Sequence, residues 1–136
     1  MLQTFEELGL GSQYLNAVTR LGYSQPTPIQ IKTIPEMLAG KNILAQSQTG
    51  TGKTAAFMLP ILQTMQQANA GIQALVLTPT RELAKQISDA TEGFSRGTGI
   101  RVLAIYGGQS YEVQTRSLNR GVDIVVATPG RLLDLL

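Results

Sequence analysis

The stretch Ser47-Gln48-Thr49-Gly50-Thr51-Gly52-Lys53-Thr54 constrains this chain more than any other. It follows a short apolar run, Ile43-Leu44-Ala45, which reads as a strand. It precedes a helix-forming run from Ala55 to Leu62. Strand, glycine-bearing loop and helix together form the setting in which a backbone cradles phosphate. Gly50 and Gly52 let N–H groups approach phosphate oxygens with no Cβ in the way. The new helix adds unpaired N–H groups and the positive end of its dipole. Lys53 brings a point charge to the β and γ phosphates, and Thr54 offers a hydroxyl to a magnesium ion. The pattern G-x-x-x-x-G-K-[ST] is met except at its first position, where Ser47 stands for glycine.

A rival exists in Gly50-x-Gly52-x-x-Ala55, which fits a dinucleotide-binding fingerprint. That fingerprint needs an acid about 20 residues on, at the end of the next strand. The next strand ends Leu77-Thr78-Pro79, without one. Dinucleotide binding also has no use for the Lys-Thr pair, so a nucleoside triphosphate is the expected ligand.

Along the chain, Ser12 reads as the cap of a helix from about Gln13 to Leu21, with Leu15, Val18 and Leu21 on one side and Gly22 at its end. Thr27-x-x-Gln30 is a capping box with Pro28 at the first helical position, and the helix runs towards Leu38. The Gln30 amide caps Thr27 on that view. An amide that both donates and accepts can also read the edge of an adenine. Local physics leaves both roles open. Pro60 should bend the helix after the phosphate loop or loosen one of its turns.

Ile72–Thr78 reads as a parallel strand buried on both faces. A helix capped by Thr80 follows, with Leu83, Ile87, Ala90 and Phe94 on one face. Glu82 in its first turn suits the helix dipole, whereas Arg81 does not. Ile100–Tyr106 is a third strand, ending in Gly107-Gly108. Ser110 caps a helix from Tyr111 to about Asn119, closed by Gly121. Val122–Ala127 is a fourth strand, followed by Thr128-Pro129-Gly130-Arg131 and the start of another helix. Four strands alternating with helices predict an α/β fold with a mostly parallel sheet. Ligands of such sheets bind beyond the carboxyl ends of the strands. The phosphate loop, Pro79–Arg81, Gly107-Gly108 and Thr128–Arg131 are therefore expected on one face.

Composition narrows the classes. With 43% hydrophobic residues in 136, a core can form. The absence of Cys and His removes disulfides and thiol or imidazole metal sites. No signal peptide or 18-residue apolar run occurs, so a soluble cytoplasmic protein without a membrane partner is expected. A net charge of +2 permits nucleic-acid binding without arguing for it.

Taken in order, these motifs resemble the first RecA-like domain of the DEAD-box RNA helicases, in a compact bacterial form. Phe5 and Gly22–Gln30 resemble the Q motif, and Ser47–Thr54 resembles motif I. Pro79-Thr80-Arg81-Glu82-Leu83-Ala84 resembles motif Ia, Gly107-Gly108 the GG motif, and Thr128-Pro129-Gly130-Arg131 motif Ib. The resemblance implies a P-loop NTPase fold, with residues 1–40 as a helical Q-motif lead-in and residues 41–136 as the first part of the ATP-binding domain. It implies ATP and Mg2+ as cofactors. Tyr23 would pack on the adenine, Gln30 would read it, Thr27 would support the loop and Phe5 would buttress the site. Ser47, Gln48, Thr49, Gly50, Thr51, Gly52, Lys53 and Thr54 would hold phosphates, with Lys53 and Thr54 catalytic and Thr54 on the metal. Pro79, Thr80, Arg81, Gly108, Thr128, Gly130 and Arg131 would touch the RNA backbone. Such contacts carry no base information, so binding would be sequence-tolerant.

The sequence departs from the family by ending before the Asp-Glu-Ala-Asp motif and the second domain. No carboxylate follows a strand: Asp123 opens one, and Asp134 lies in the last helical turn. The acid that positions magnesium and water is missing. These residues are thus expected to be one piece of a helicase motor, inactive alone. The alternative is a non-catalytic half-domain that binds RNA or a protein partner.

Overall fold

The computed structural model describes residues 3–48, 50, 52–65 and 71–136. The chain divides into two compact units, Met1–Met65 with Gly93–Ser95, and Gln66–Glu92 with Arg96–Leu136.

The first unit is helical. Helix α1 (Ser12–Arg20) is capped by Gly11 rather than Ser12. It buries Tyr14, Ala17 and Val18, whereas Leu21 is 42% exposed. The turn at Gly22, with φ of 87°, ends the helix before Leu21 can join that face. Helix α2 (Pro28–Leu38) starts where its capping box and Pro28 place it and absorbs Pro35. It packs against α3 (Lys53–Thr64). Helix α3 keeps Pro60 inside it, and Thr64 Oγ1 donates to the Pro60 carbonyl at 3.0 Å. The end of α3 clamps the N-terminal segment. Gln63 accepts from Gly11 N–H at 2.7 Å and donates to the Gly9 carbonyl at 2.8 Å. Tyr14 donates its hydroxyl to the Leu62 carbonyl at 3.3 Å.

Ile43–Ala45 does not form the expected strand: residues 41–48 are irregular, with Ile43 39% and Leu44 fully exposed. An isolated strand leaves its backbone N–H and C=O groups without ladder partners. Among the described residues no neighbouring strand supplies them.

The second unit is α/β, a parallel sheet flanked by helices. Strands β1 (Ala74–Leu77), β2 (Val102–Ile105) and β3 (Ile124–Ala127) form a parallel sheet in the order β1-β3-β2. Leu77 and Ile105 both pair with Ala127, so the three carboxyl ends are level. Central β3 is buried throughout. Among the described strands β1 lies at an edge, with Leu75 and Leu77 more than half exposed, so the two-sided burial expected of Ile72–Thr78 fails there and is found in β3 instead. Ile105, Val122, Val125 and Ala127 form a core that Leu103, Leu118, Leu132 and Leu135 pack against. The helices are α4 (Arg81–Ser95), α5 (Tyr111–Arg120) and α6 (Pro129–Leu135).

At the amino end of β3, Asp123 is fully buried and accepts from Arg101 N–H at 2.7 Å and Arg101 Nε at 3.3 Å. It therefore serves the fold at the sheet end opposite the strand-end motifs. No helix among the described residues is long and apolar enough to cross a membrane.

Candidate nucleotide and RNA-backbone sites

In the first unit, the loop before α3 is shaped by two glycines in the left-handed region, Gly50 at φ 82° and Gly52 at φ 83°. Gly52 is also the N-cap of α3, so Lys53 and Thr54 are its first two residues. Their N–H groups belong to the first helical turn, which has no intrahelical acceptors. The Lys53 ammonium spans the loop and donates to the Ser47 carbonyl. Thr54 is half-buried, and its hydroxyl has no hydrogen-bond partner among the described residues. Gln48 is exposed. Thr49 and Thr51 lie outside the described residues.

Gln30 connects this loop to the start of α2. Its amide is fully buried; Oε1 accepts from Thr27 N–H at 2.9 Å, and Nε2 donates to the Gly52 carbonyl at 3.2 Å. A Cβ on Gly52 would run into the Gln30 amide and lie 3.2 Å from Thr27 Oγ1. The other half of the capping box is in place but loose. Thr27 Oγ1 faces the Gln30 backbone without closing a hydrogen bond. The capping role expected of Gln30 is thus present together with a tie to the glycine loop before α3 that spacing did not reveal.

Tyr23 is 37% exposed and sits in an aromatic group. Phe5, buried, meets it edge-on at 6.4 Å between centroids and 83° between planes. Phe94, also buried, meets it at 5.8 Å and 53°. Phe5 thus packs edge-on against Tyr23. In the sequence Phe94 marks only one position on an apolar helix face.

In the second unit, the level carboxyl ends of β1, β2 and β3 lead directly into Pro79–Arg81, Gly107-Gly108 and Thr128–Arg131. Pro79, Thr80, Arg81, Gly108 and Gly130 are exposed, and Thr128 is half-buried. Thr80 caps α4, accepting from Leu83 N–H at 3.2 Å. Thr128 is the N-cap of α6, with Pro129 in the first turn. Gly108 has φ of 89°, and a Cβ there would lie 3.3 Å from Arg81 Nη1. The β2 turn and the start of α4 are therefore neighbours. Arg81 pairs with Glu82 at 3.2 Å, both well exposed, and such a pair is worth little. The Glu82 carboxyl is held below the usual range, first by its own backbone N–H and then by Arg81.

Arg131 is half-buried. Its Nη1 donates to the Gln109 carbonyl at 3.0 Å and to Gln114 Oε1 at 2.9 Å. Nothing in the spacing of Gln109 and Gln114 marks a contact with a residue on another helix.

The sequence matches the family described as DEAD/DEAH box helicase over residues 27–136. It is 50% identical to the RNA helicase CrhR of Synechocystis sp. over 136 residues, all of this chain and 27% of that protein. It is 52% identical to the ATP-dependent RNA helicase DeaD of Escherichia coli over 134 residues, 98% of this chain and 21% of that protein. The chain thus spans about a quarter of these relatives' length. The crystal structure of a DEAD box protein from the hyperthermophile Methanococcus jannaschii is similar with a TM-score of 0.90 at 44% identity, over 96% of this chain and 36% of that one. Prp28 from Chaetomium thermophilum, crystallised with ADP, is similar with a TM-score of 0.89 at 43% identity, over 99% and 34%.

Proposed function

Because the chain belongs to the DEAD/DEAH box helicase family, we propose that it supplies the adenine-nucleotide loop and part of the RNA-backbone face of an ATP-dependent RNA helicase. In that reading the whole protein couples ATP hydrolysis to local RNA unwinding, in the cytoplasm. The observation that carries it is Gly52. It is left-handed, closely faced by the Gln30 amide, and caps the helix that opens with Lys53 and Thr54.

Each residue then has a physical task. Gly50 and Gly52 turn N–H groups toward phosphate, and Lys53 exchanges the Ser47 carbonyl for phosphate oxygens. Magnesium, when bound, neutralises charge on the transferring phosphoryl group. The Thr54 hydroxyl, without a hydrogen-bond partner among the described residues, fits it as a ligand. Ser47, Gln48, Thr49 and Thr51 complete the loop.

A carboxamide has two N–H donors and two acceptor lone pairs. The bonds to Thr27 and Gly52 occupy one of each, leaving one donor and one acceptor for an adenine edge. Gln30 is fully buried, so base binding is accompanied by local opening around it. Tyr23, held by Phe5 and Phe94, offers an exposed ring for the base to pack on, and Thr27 supports the loop.

At the strand ends, Pro79, Thr80, Arg81, Gly108, Thr128, Gly130 and Arg131 face RNA phosphates and sugars, giving sequence-tolerant binding.

The test is a pair of nucleotide titrations on the full-length protein. ADP should bind more tightly than GDP, and Gln30→Ala should remove the difference. Equal affinities in the wild type would sink the adenine reading.

A further inference from the structure

Helix α5 is polar, and among the described residues Gln114 is the one it buries, at 2% exposure. A buried amide is stable only when its groups are paired. Gln114 Nε2 donates to the Tyr106 carbonyl at 3.2 Å and to Gln109 Oε1, while Oε1 accepts from Arg131 Nη1 at 2.9 Å. Arg131 Nη1 also donates to the Gln109 carbonyl at 3.0 Å. One side chain thereby joins the turn after β2 to the start of α6.

All the acceptors that Arg131 uses are neutral. Among the described residues no carboxylate lies within ion-pairing distance of it, and its Nε and Nη2 make no hydrogen bond. A half-buried guanidinium held by one nitrogen keeps its charge and its remaining N–H donors available to an anion from outside. We propose that Gln114 is a positioning residue. Its neutral amide fixes Arg131 for an RNA phosphate and locks the Gly107-Gly108 turn to the same frame, without spending the arginine's charge. This rests on the reading that Arg131 contacts RNA.

The experiment measures binding of an unstructured oligoribonucleotide to the full-length protein across a salt series, for Arg131→Ala, Gln114→Met, Gln114→Glu and the Arg131→Ala/Gln114→Met double variant. Urea unfolding confirms that each is folded. Arg131→Ala should weaken binding about tenfold, the scale of one charge-assisted hydrogen bond, and lower the salt slope by about 0.7. Gln114→Met should weaken binding roughly threefold or more. In the Arg131→Ala background it should add nothing, because the group it positions is gone. Gln114→Glu should lower the salt slope by about as much as Arg131→Ala, since a carboxylate neutralises the guanidinium locally.

Unchanged binding in Arg131→Ala would remove the RNA reading of that arginine and the inference with it. A normal Arg131→Ala effect would leave that reading standing. The inference would then be overturned by Gln114 variants that lower stability while leaving affinity and salt slope at wild-type values, or by equal losses with and without Arg131.

Discussion

Gly50 and Gly52 share nearly the same backbone geometry, at φ 82° and 83°, but not the same surroundings. No described heavy atom lies within 4 Å of a Cβ placed on Gly50, whereas one on Gly52 meets the Gln30 amide. Gly50→Ala should therefore cost only the left-handed backbone penalty, about 1–2 kcal/mol. Gly52→Ala carries that same penalty. It also displaces a buried amide with two partners, Thr27 N–H and the Gly52 carbonyl. Orphaning buried groups of this kind costs about 1–3 kcal/mol. The expected totals are roughly 1–2 kcal/mol for Gly50→Ala and roughly 2–5 kcal/mol for Gly52→Ala. Gln30→Ala opens the space that the new methyl needs. The Gly52→Ala/Gln30→Ala double variant should thus lose about 1–3 kcal/mol less than the two single losses added. Urea unfolding of the full-length protein, with midpoints compared at a common slope, gives all four values. Equal costs for the two alanines, or strict additivity with Gln30→Ala, would refute the tie between the capping amide and the phosphate loop.

Four further outcomes are expected. Arg81→Ala should weaken single-stranded RNA binding by a similar factor for different base sequences and lower the salt slope by roughly one ion or less, measured by fluorescence anisotropy. Burial raises the Tyr14 hydroxyl above its usual value of 10.0, so the folded state holds that proton more tightly. The resulting stability is complete below pH 10 and is lost as pH rises towards the folded value; Tyr14→Phe should lose less over that range in alkaline melts. Arg101→Ala should cost roughly 1–3 kcal/mol in urea unfolding, below the ~3–5 kcal/mol of a fully buried pair, because its side chain is 34% exposed and its backbone N–H still serves Asp123. Residues 1–136 by themselves should show no RNA-stimulated phosphate release, since Lys53 and Thr54 supply neither the positioned water nor the charge stabilisation that hydrolysis needs; turnover abolished by Lys53→Ala would overturn this.

Local chemistry made much of this legible in sequence. Capping residues and glycines fixed α2, α4 and α5 to within a residue or two, because each cap is settled within one turn. The ordered motifs likewise located the strand-end turns. Pairing was not legible: Ile43–Ala45 is as apolar as β2, but strand formation depends on a partner that spacing cannot supply. Edge and centre were equally hidden, and β1 and β3 read alike until the order β1-β3-β2 exposed Leu75 and Leu77. Contacts between distant polar side chains were the least visible. Gln114 and Arg131 sit on different helices, and neither residue's neighbours in sequence point to the other.

The Gln63 clamp gives α3 two working ends. The helix begins at Lys53, at the end of the proposed phosphate loop, and holds Gly9 and Gly11 near its last turn. Twelve helical residues span about 18 Å. The segment received there leads back to Phe5, against the ring of Tyr23. One helix thus links the two ends of the proposed nucleotide site through covalent structure and the Gln63 hydrogen bonds. Hydrogen exchange at the Gly11 amide, 2.7 Å from Gln63 Oε1, should therefore change when ADP is added. An exchange rate indifferent to ADP would mean that nucleotide binding does not reach Gln63.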